Sequence, residues 1–289
     1  MKIKKHDANE YLLTEDGVWV RDLCKGHVRK TDINQLSDER DYPLFLRNEI
    51  ANRAKELAIL DRDSPHHTDI VIVSSGYGFA EKQEILAKLP RKEVTLIGVN
   101  RSLANWTLLG DNPIKRTLDW FLVNNPYPES LKYLPTKHRY FPKCIVSNRT
   151  HPSFTEKYEG NLYTYSPVVE REYAGPAHDN QAQIDEYRNP ICAAIGVAWL
   201  FNVRRLLLFC CDDSFEGERP GAEQLDNGLW SYPQQQMSQR IIDANLYWLK
   251  QQEIEVADFS AGRKLENATY IQKEEDVLRF FDKGKNGEP

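Results

Sequence analysis

The side chains with chemistry to offer sit where apolar runs stop. In "DIVIVSSGYGFAEKQEILAKL", residues 69–89, a short apolar run gives way to Ser74, Ser75, Gly76, Tyr77 and Gly78 before a helical pattern begins. Glycine in such a turn lets backbone N–H groups approach an anion, and a helix starting there adds a favourable partial charge. Ser75, Gly76 and Gly78 are therefore candidate phosphate-facing residues. The spacing is neither GxGxxG nor GxxxxGK[ST], and no P-loop lysine stands in the turn, so a plain tight connection fits the same residues.

Two further apolar runs end in asparagine: "LIGVN" in Asn100 and "FLVNNP" in Asn124-Asn125, while "KCIVSNR" closes on Ser147-Asn148-Arg149. An amide can give a donor and an acceptor to a base or ribose. It can equally cap a helix or tie a turn. Asn100 and Asn125 are the candidates for nucleoside contact. The run "RRLLLFCCDDSFEG" ends in Asp212-Asp213, which could hold Mg²⁺, orient a sugar hydroxyl, act as a base, or simply cap the next segment. The polar loop after it, "SFEGERPGAEQLDNGLWSYPQQQ", has the length and composition of a lid or binding loop. His151 and His178 lie in loop-rich sequence, and His66-His67 in a linker, without a third ligand at metal-binding spacing. No metal site is assigned, and neither GxSxG nor HExxH occurs.

The elements that would carry these residues alternate. "DIVIVSSG", "EVTLIGVN", "LDWFLVNN", "RYFPKCIVSNR", "VRRLLLFCCDD" and "IEVADFSAG" are strand candidates. Between them lie helical patterns at Ala80 to Leu89, in "RSLANWTLLG", in "YRNPICAAIGVAWLFN" with its first-turn proline, and in "SQRIIDANLYWLKQQ". This is the order of an α/β, doubly wound, mainly parallel Rossmann-like sheet, with ligands expected beyond the carboxyl ends of the strands. Ahead of it, "EYLLTEDGVWVRD" suggests a hairpin around Asp16-Gly17. "DYPLFLRNEIANRAKELAIL" spaces Phe45, Ile50, Ala54 and Leu57 as an amphipathic helix would. The polar link "DRDSPHHTD" divides an N-terminal hairpin/helix extension, 1–65, from a nucleotide-binding-type domain, 66–289.

A net charge of −5 argues against a broad grip on nucleic acid or anionic lipid. The five cysteines form no CxxC and are expected as reduced core thiols. No apolar stretch approaches the roughly 20 residues of a membrane span, and a cytoplasmic protein is expected.

With these elements in order, the chain from Asp69 to Phe281 resembles a Rossmann-like group. The group comprises the MptE-like 6-hydroxymethylpterin diphosphokinases, the Maf-type flagellin glycosylation proteins and the family 42 bacterial sialyltransferases. The resemblance is carried by "IVIVSSGYGFAE" at the nucleotide corner, "LIGVN" and "FLVNNP" as asparagine-ended strands, "RNPICAAIGVAWLFNVRRLLLFCCDD" with its terminal aspartate, and "IEVADFSAGRKLENATYI". It implies that Asn100 and Asn125 contact a nucleotide and that Asp212 is the family aspartate. The chain departs from the group at Tyr77-Gly78-Phe79, where Gly-Pro-Ser is usual, and at Asn189-Pro190, where the sialyltransferases have a Thr-Ser-Gly-like turn. It also has no histidine after Asp212, so it is not expected to be a sialyltransferase.

Three functions follow. The first is a glycosyltransferase-like protein that binds a nucleotide or nucleotide-sugar at the strand ends, with Ser75, Gly76 and Gly78 on the phosphates and Asp212 or Asp213 as base or acceptor-orienting group. It needs no cofactor beyond that donor. The second is a diphosphokinase, which would need Mg²⁺ near Asp212-Asp213. The third is a non-catalytic binding module whose corner is filled by Tyr77 or Phe79. Packing or self-association into a homo-oligomer is the role left for the first 65 residues.

Overall fold

The computed structural model describes residues 3–6, 9–13, 19–21, 44–52, 54–55, 57–60, 69–104, 116–134, 141–167, 182–184, 186, 189–212, 214–262 and 264–282. Strands β1 (Ile3–His6), β2 (Asn9–Leu13) and β3 (Trp19–Arg21) form an antiparallel sheet. The pairing of Leu13 with Trp19 flanks the hairpin expected around Asp16-Gly17, and the turn itself lies outside the described residues.

Helix α1 covers 44–52. It departs from the expected apolar face: Phe45 is buried, but Ile50 is 59% exposed, and the remaining buried positions include Asn48, Glu49 and Asn52. The reason lies in what the helix covers. Asn48 Nδ2 donates to the carbonyls of Pro126 (2.8 Å) and Arg149 (3.0 Å), and Asn52 Nδ2 to those of Asn148 (2.9 Å) and Thr150 (2.7 Å). A helix lying over main-chain acceptors must bring donors, because a buried carbonyl without one is costly.

The main sheet contains β4 (Ala58–Ile59), β5 (Asp69–Val73), β6 (Val94–Val99), β7 (Trp120–Val123), β8 (Lys143–Ser147), β9 (Leu162–Pro167) and β10 (Gln183–Ile184). It is completed by β11 (Arg205–Phe209), β14 (Glu255–Phe259) and β15 (Thr269–Tyr270). A separate small hairpin pairs β12 (Glu223–Gln224) with β13 (Trp230–Ser231). The order in the main sheet is β10-β9-β8-β7-β6-β5-β11-β14-β15, with β4 beside β9, and the pairings are parallel. The fold is a doubly wound Rossmann-like α/β sheet. Successive strands run outward from β5 to β10, and then β11 returns to the opposite side of β5. The crevice between β5 and β11 is thus the point where the winding reverses, the place where such sheets bind ligands.

Both faces are covered, which is why β5 and β11, after the charged residue that opens each, are continuously apolar rather than alternating. Ile70, Ile72, Leu206 and Leu208 face one core with α5 (Pro190–Leu200) and α6 (Pro233–Gln251). Val71, Val73, Leu207 and Phe209 face the other, with α2 (Phe79–Lys82), α3 (Glu84–Lys88), α4 (Pro152–Lys157) and α7 (Glu274–Asp282). Helix α5 starts where Asn189 Oδ1 accepts from the N–H groups of Ile191 and Cys192, with Pro190 in the first turn.

Four expectations are adjusted. The helix expected over Ala80 to Leu89 is two short helices meeting at Gln83. The pattern "RSLANWTLLG" opens with a single 3-10 turn, Asn100–Ser102, and its residues 105–110 lie outside the described residues. Helix α6 begins at Pro233 rather than Ser238: Pro233 suits a first turn, and Gln235 Oε1 accepts from the Tyr232 N–H at 2.9 Å, which caps the helix there and draws the polar "PQQQ" into its first turns. The strand in "IEVADFSAG" is followed by β15, so it is not the last. Cys144, Cys192, Cys210 and Cys211 are buried free thiols. Among the described residues no helix is long and apolar enough to cross a membrane.

Candidate functional site

The carboxyl ends of β5, β6 and β11 open into a cleft of about 410 Å³ lined by Ser74, Ser75, Gly76, Asn100, Arg101, Tyr133, Ser214 and Gln235, among others. The turn after β5 is pinned to β11: Ser74 N–H donates to Phe209 O and Gly76 N–H to Cys210 O, both at 3.0 Å. The Gly76 N–H is therefore not available to a ligand. Ser75, which lines the cleft, keeps both its backbone N–H and its hydroxyl without a partner among the described residues. Gly78, with φ 76°, is the N-cap of α2 and does not line this cleft.

Gly76 is required by close approach. A Cβ at this position would collide with the Asp212 carboxylate and lie 2.5 Å from the Cys210 carbonyl oxygen. On the other side, a Cβ on Gly262 would lie 2.6 Å from Asp212 Oδ2. Asp212 is thus wedged between two glycine backbones and is only 2% exposed. Its Oδ2 accepts from Ser214 Oγ at 2.5 Å, while Oδ1 has no partner. The group that reaches the cleft from this pair is the Ser214 hydroxyl, with Asp212 behind it. Asp213 lies outside the described residues.

Behind Asp212 stands a second buried carboxyl group, Asp258 on β14. Ser260 Oγ donates to its Oδ1 at 2.6 Å, and its Oδ2 has no partner. Burial, then the neighbouring Asp212 charge, push Asp258 up to about 7, against the opposing pull of the Ser260 hydrogen bond and of Lys82. Asp212 is raised by burial, against the hydrogen bonds from Ser214 and the Gly262 backbone. A carboxyl group with a raised folded pKa binds its proton more tightly in the folded protein than in the unfolded chain. Its contribution is fully present below the unfolded pKa of about 4 and is lost as pH rises through the folded pKa. Asp258→Asn, which keeps the neutral form, is expected to gain about 1–3 kcal/mol relative to the parent between pH 4 and pH 8. Urea unfolding of both proteins across that range checks it, and a difference that does not change with pH would contradict it.

Beside the first cleft is a second, of about 190 Å³, lined by Phe45, Asn100, Asn124, Asn125, Pro126, Tyr127, Arg149 and Glu186. Asn100 borders both clefts. It has φ 45°, a left-handed conformation that asparagine tolerates, and its Oδ1 is buried without a partner. Asn125 is differently occupied: its Oδ1 accepts from Tyr127 N–H at 2.9 Å and its Nδ2 donates to Tyr133 Oη at 3.0 Å. Its main use is to tie the turn after β7.

Tyr77 and Phe79 leave the cleft open. Phe79 is buried against Phe209, with ring centres 6.3 Å apart. Tyr77 Oη donates to Glu216 Oε1 at 2.8 Å, joining the corner to the loop after β11. That loop is folded: Phe215 bridges to Trp230, and Asn227 donates to the carbonyl of Ala261.

Of the residues singled out in the sequence, Ser75, Gly76 and Asn100 line one cleft, Asn125 lines the adjoining one, and Asp212 lies beneath Ser214. Arg101, Ser214, Arg149 and Glu186 were not assigned a role from sequence. Arg101 and Ser214 could have been found as the residues directly following candidates Asn100 and Asp212-Asp213; nothing marks Glu186.

No protein-family model and no curated protein matches the chain. Among solved structures, the fold is similar to that of the Maf glycosyltransferase from Magnetospirillum magneticum AMB-1, with a TM-score of 0.63 over 84% of this chain and 13% sequence identity. The matched region is 42% of the length of that protein. At this identity the likeness is one of fold. It supports the Maf-type part of the sequence resemblance at the level of the fold.

Proposed function

We propose that this protein binds the diphosphate of a nucleotide-linked sugar in the cleft above β5, β6 and β11 and transfers the sugar to an acceptor hydroxyl. The observation that carries the reading is the convergence of Ser75, Asn100, Arg101 and Ser214 on one open cleft at the point where the sheet winding reverses. Ser75 offers hydroxyl and backbone donors to phosphate oxygens, and Arg101 a guanidinium at the rim. In the transfer, the bond from the anomeric carbon to the phosphate oxygen breaks with its electron pair passing to the phosphate. The acceptor oxygen forms the new bond, and its proton passes to Ser214 Oγ as the serine's own proton passes to the Asp212 carboxylate, which is the base acting through the serine hydroxyl. Catalysis is then chiefly positioning and stabilisation of the departing diphosphate. A cytoplasmic location accords with this reading.

The open corner favours retained binding over a module with a filled site. Diphosphate transfer is less well supported, because Mg²⁺ keeps several waters and needs open coordination positions. Asp212 is wedged between Gly76 and Gly262 and 2% exposed, which leaves no room for that water shell around its carboxylate.

The test is a thermal-shift panel of CMP, CDP, UDP, GDP, ADP and ATP, with and without Mg²⁺. A ligand at 100 times its dissociation constant is expected to add about 2.7 kcal/mol and raise the melting point by about 5–10 °C. One nucleotide shifting the protein without Mg²⁺ supports the transferase and names its donor class. A shift that requires Mg²⁺ turns the reading to diphosphate transfer, and a flat panel overturns nucleotide binding.

A further inference from the structure

We infer that the second cleft, between α1 and the ends of β7 and β8, is a binding site for a single pyranose ring. The inference rests on the proposed phosphate cleft for its orientation, since Asn100 is shared by the two.

The cleft is a built site. Arg149 is buried and its guanidinium carbon lies over the Phe45 ring, 4.9 Å from the centroid. Phe45 is carried there by α1, which the paired amides of Asn48 and Asn52 fasten to four main-chain carbonyls around the same strand ends. The segment ahead of β5 thereby completes the pocket wall. Opposite, Glu186 is held by Tyr165 Oη and, at 3.4 Å, by Asn124 Nδ2. At the junction with the first cleft, the buried Oδ1 of Asn100 has no partner. An unpartnered buried carbonyl oxygen asks for a donor, and a ligand hydroxyl supplies one.

The chemistry of the walls selects the ligand. A planar amide accepts from one sugar hydroxyl and donates to the next, a guanidinium donates to two neighbouring hydroxyls, and a carboxylate accepts from two. Tyr127, 39% exposed at the mouth, offers an aromatic face to the C–H side of such a ring. A nucleobase would want a slot between two open rings, but of the two aromatic residues that line the cleft Phe45 is 2% exposed and covered by Arg149, which leaves only the single face of Tyr127. The volume of about 190 Å³ suits one ring rather than a chain.

The experiment is saturation-transfer NMR on the full chain with free glucose, galactose and N-acetylglucosamine, and in parallel with uridine, cytidine and guanosine. Line broadening of inorganic pyrophosphate in the ³¹P spectrum monitors the first cleft separately. The ring protons of at least one hexose are expected to receive saturation, with binding about fivefold weaker in Tyr127→Ala. Arg149→Lys, which keeps the charge but loses the planar fork, is expected to weaken it as well. Saturation of nucleosides but of no hexose, or a hexose signal indifferent to both substitutions, would overturn the inference. If pyrophosphate fails to broaden while a hexose binds, the phosphate reading falls and the sugar site stands. Pyrophosphate binding with no hexose signal has the opposite meaning.

Discussion

Replacing Asp69 with alanine is expected to cost about 3–5 kcal/mol of stability and lower the melting point by about 10 °C or more. Asp69 opens β5 and is buried. Arg205, which opens β11, donates through Nε to Asp69 Oδ1 at 2.9 Å and through a terminal nitrogen to Oδ2. Arg205 also donates to the Phe280 carbonyl at 3.0 Å and lies against the Phe281 ring. Removing the carboxylate takes two charge-assisted hydrogen bonds from a buried guanidinium and leaves it only the Phe280 carbonyl and the weaker pull of Glu255 and Asp282, and that under-compensated charge is the source of the cost. Removing both partners is far milder: Asp69→Ala combined with Arg205→Met is expected to recover most of the loss. Urea unfolding of the single and double variants separates the two effects, and a single-variant cost below about 1 kcal/mol would contradict the account. The pair fixes β5 and β11 in register at their amino ends. It thereby sets, at the opposite end of the same two strands, the distance between Gly76 and Asp212.

Gly76→Val is expected to abolish nucleotide binding, weakening it by about 100-fold or more, and to destabilise the fold by about 1–3 kcal/mol. The added side chain has no space, since Asp212 and the Cys210 carbonyl already occupy it. Either the turn moves away from β11, taking Ser75 out of the cleft, or Asp212 is displaced and with it Ser214. Ser75→Ala serves as the gentler companion. It keeps the backbone and removes one hydroxyl, so about tenfold weaker binding with nearly unchanged stability is expected. Calorimetric titration of the three proteins with the nucleotide found by thermal shift measures both. Unchanged affinity in Gly76→Val would place the ligand elsewhere.

The sheet was largely legible because its central strands are buried on both faces and so appear as continuous apolar runs between turn residues. β5, β6, β7, β8, β11 and β14 all announce themselves this way. β9 does not: "LYTYSP" mixes tyrosine, threonine and proline, and only Thr164, Tyr165 and Pro167 are buried. β4 and β10, at two residues each, are too short to have a period. Helix α1 was legible as a helix but not in its orientation, because its packing face is polar for a reason that lies about 100 residues away in the main-chain carbonyls it covers.

The candidate site was legible by strand end and not by side chain. Ser75, Gly76, Asn100 and Asp212 follow from the rule that ligands gather beyond the carboxyl ends of strands. Which of their groups face outward is decided by pairings no local pattern encodes. The Gly76 N–H is spent on Cys210, Asn125 is spent on Tyr127 and Tyr133, and Asp212 reaches the cleft only through Ser214. The second cleft needs Phe45, Arg149 and Glu186 to meet from three distant segments, and single-sequence spacing carries no sign of that.

The most direct measurement is hydrogen exchange of the full chain with and without a saturating mixture of nucleoside diphosphates, read by mass spectrometry. If the corner above β5 and β6 holds the diphosphate, peptides covering 74–79 and 99–103 are expected to gain protection while the amino ends of the same strands do not change. Protection confined to other segments, or none anywhere, would contradict the assignment of this cleft as the nucleotide site.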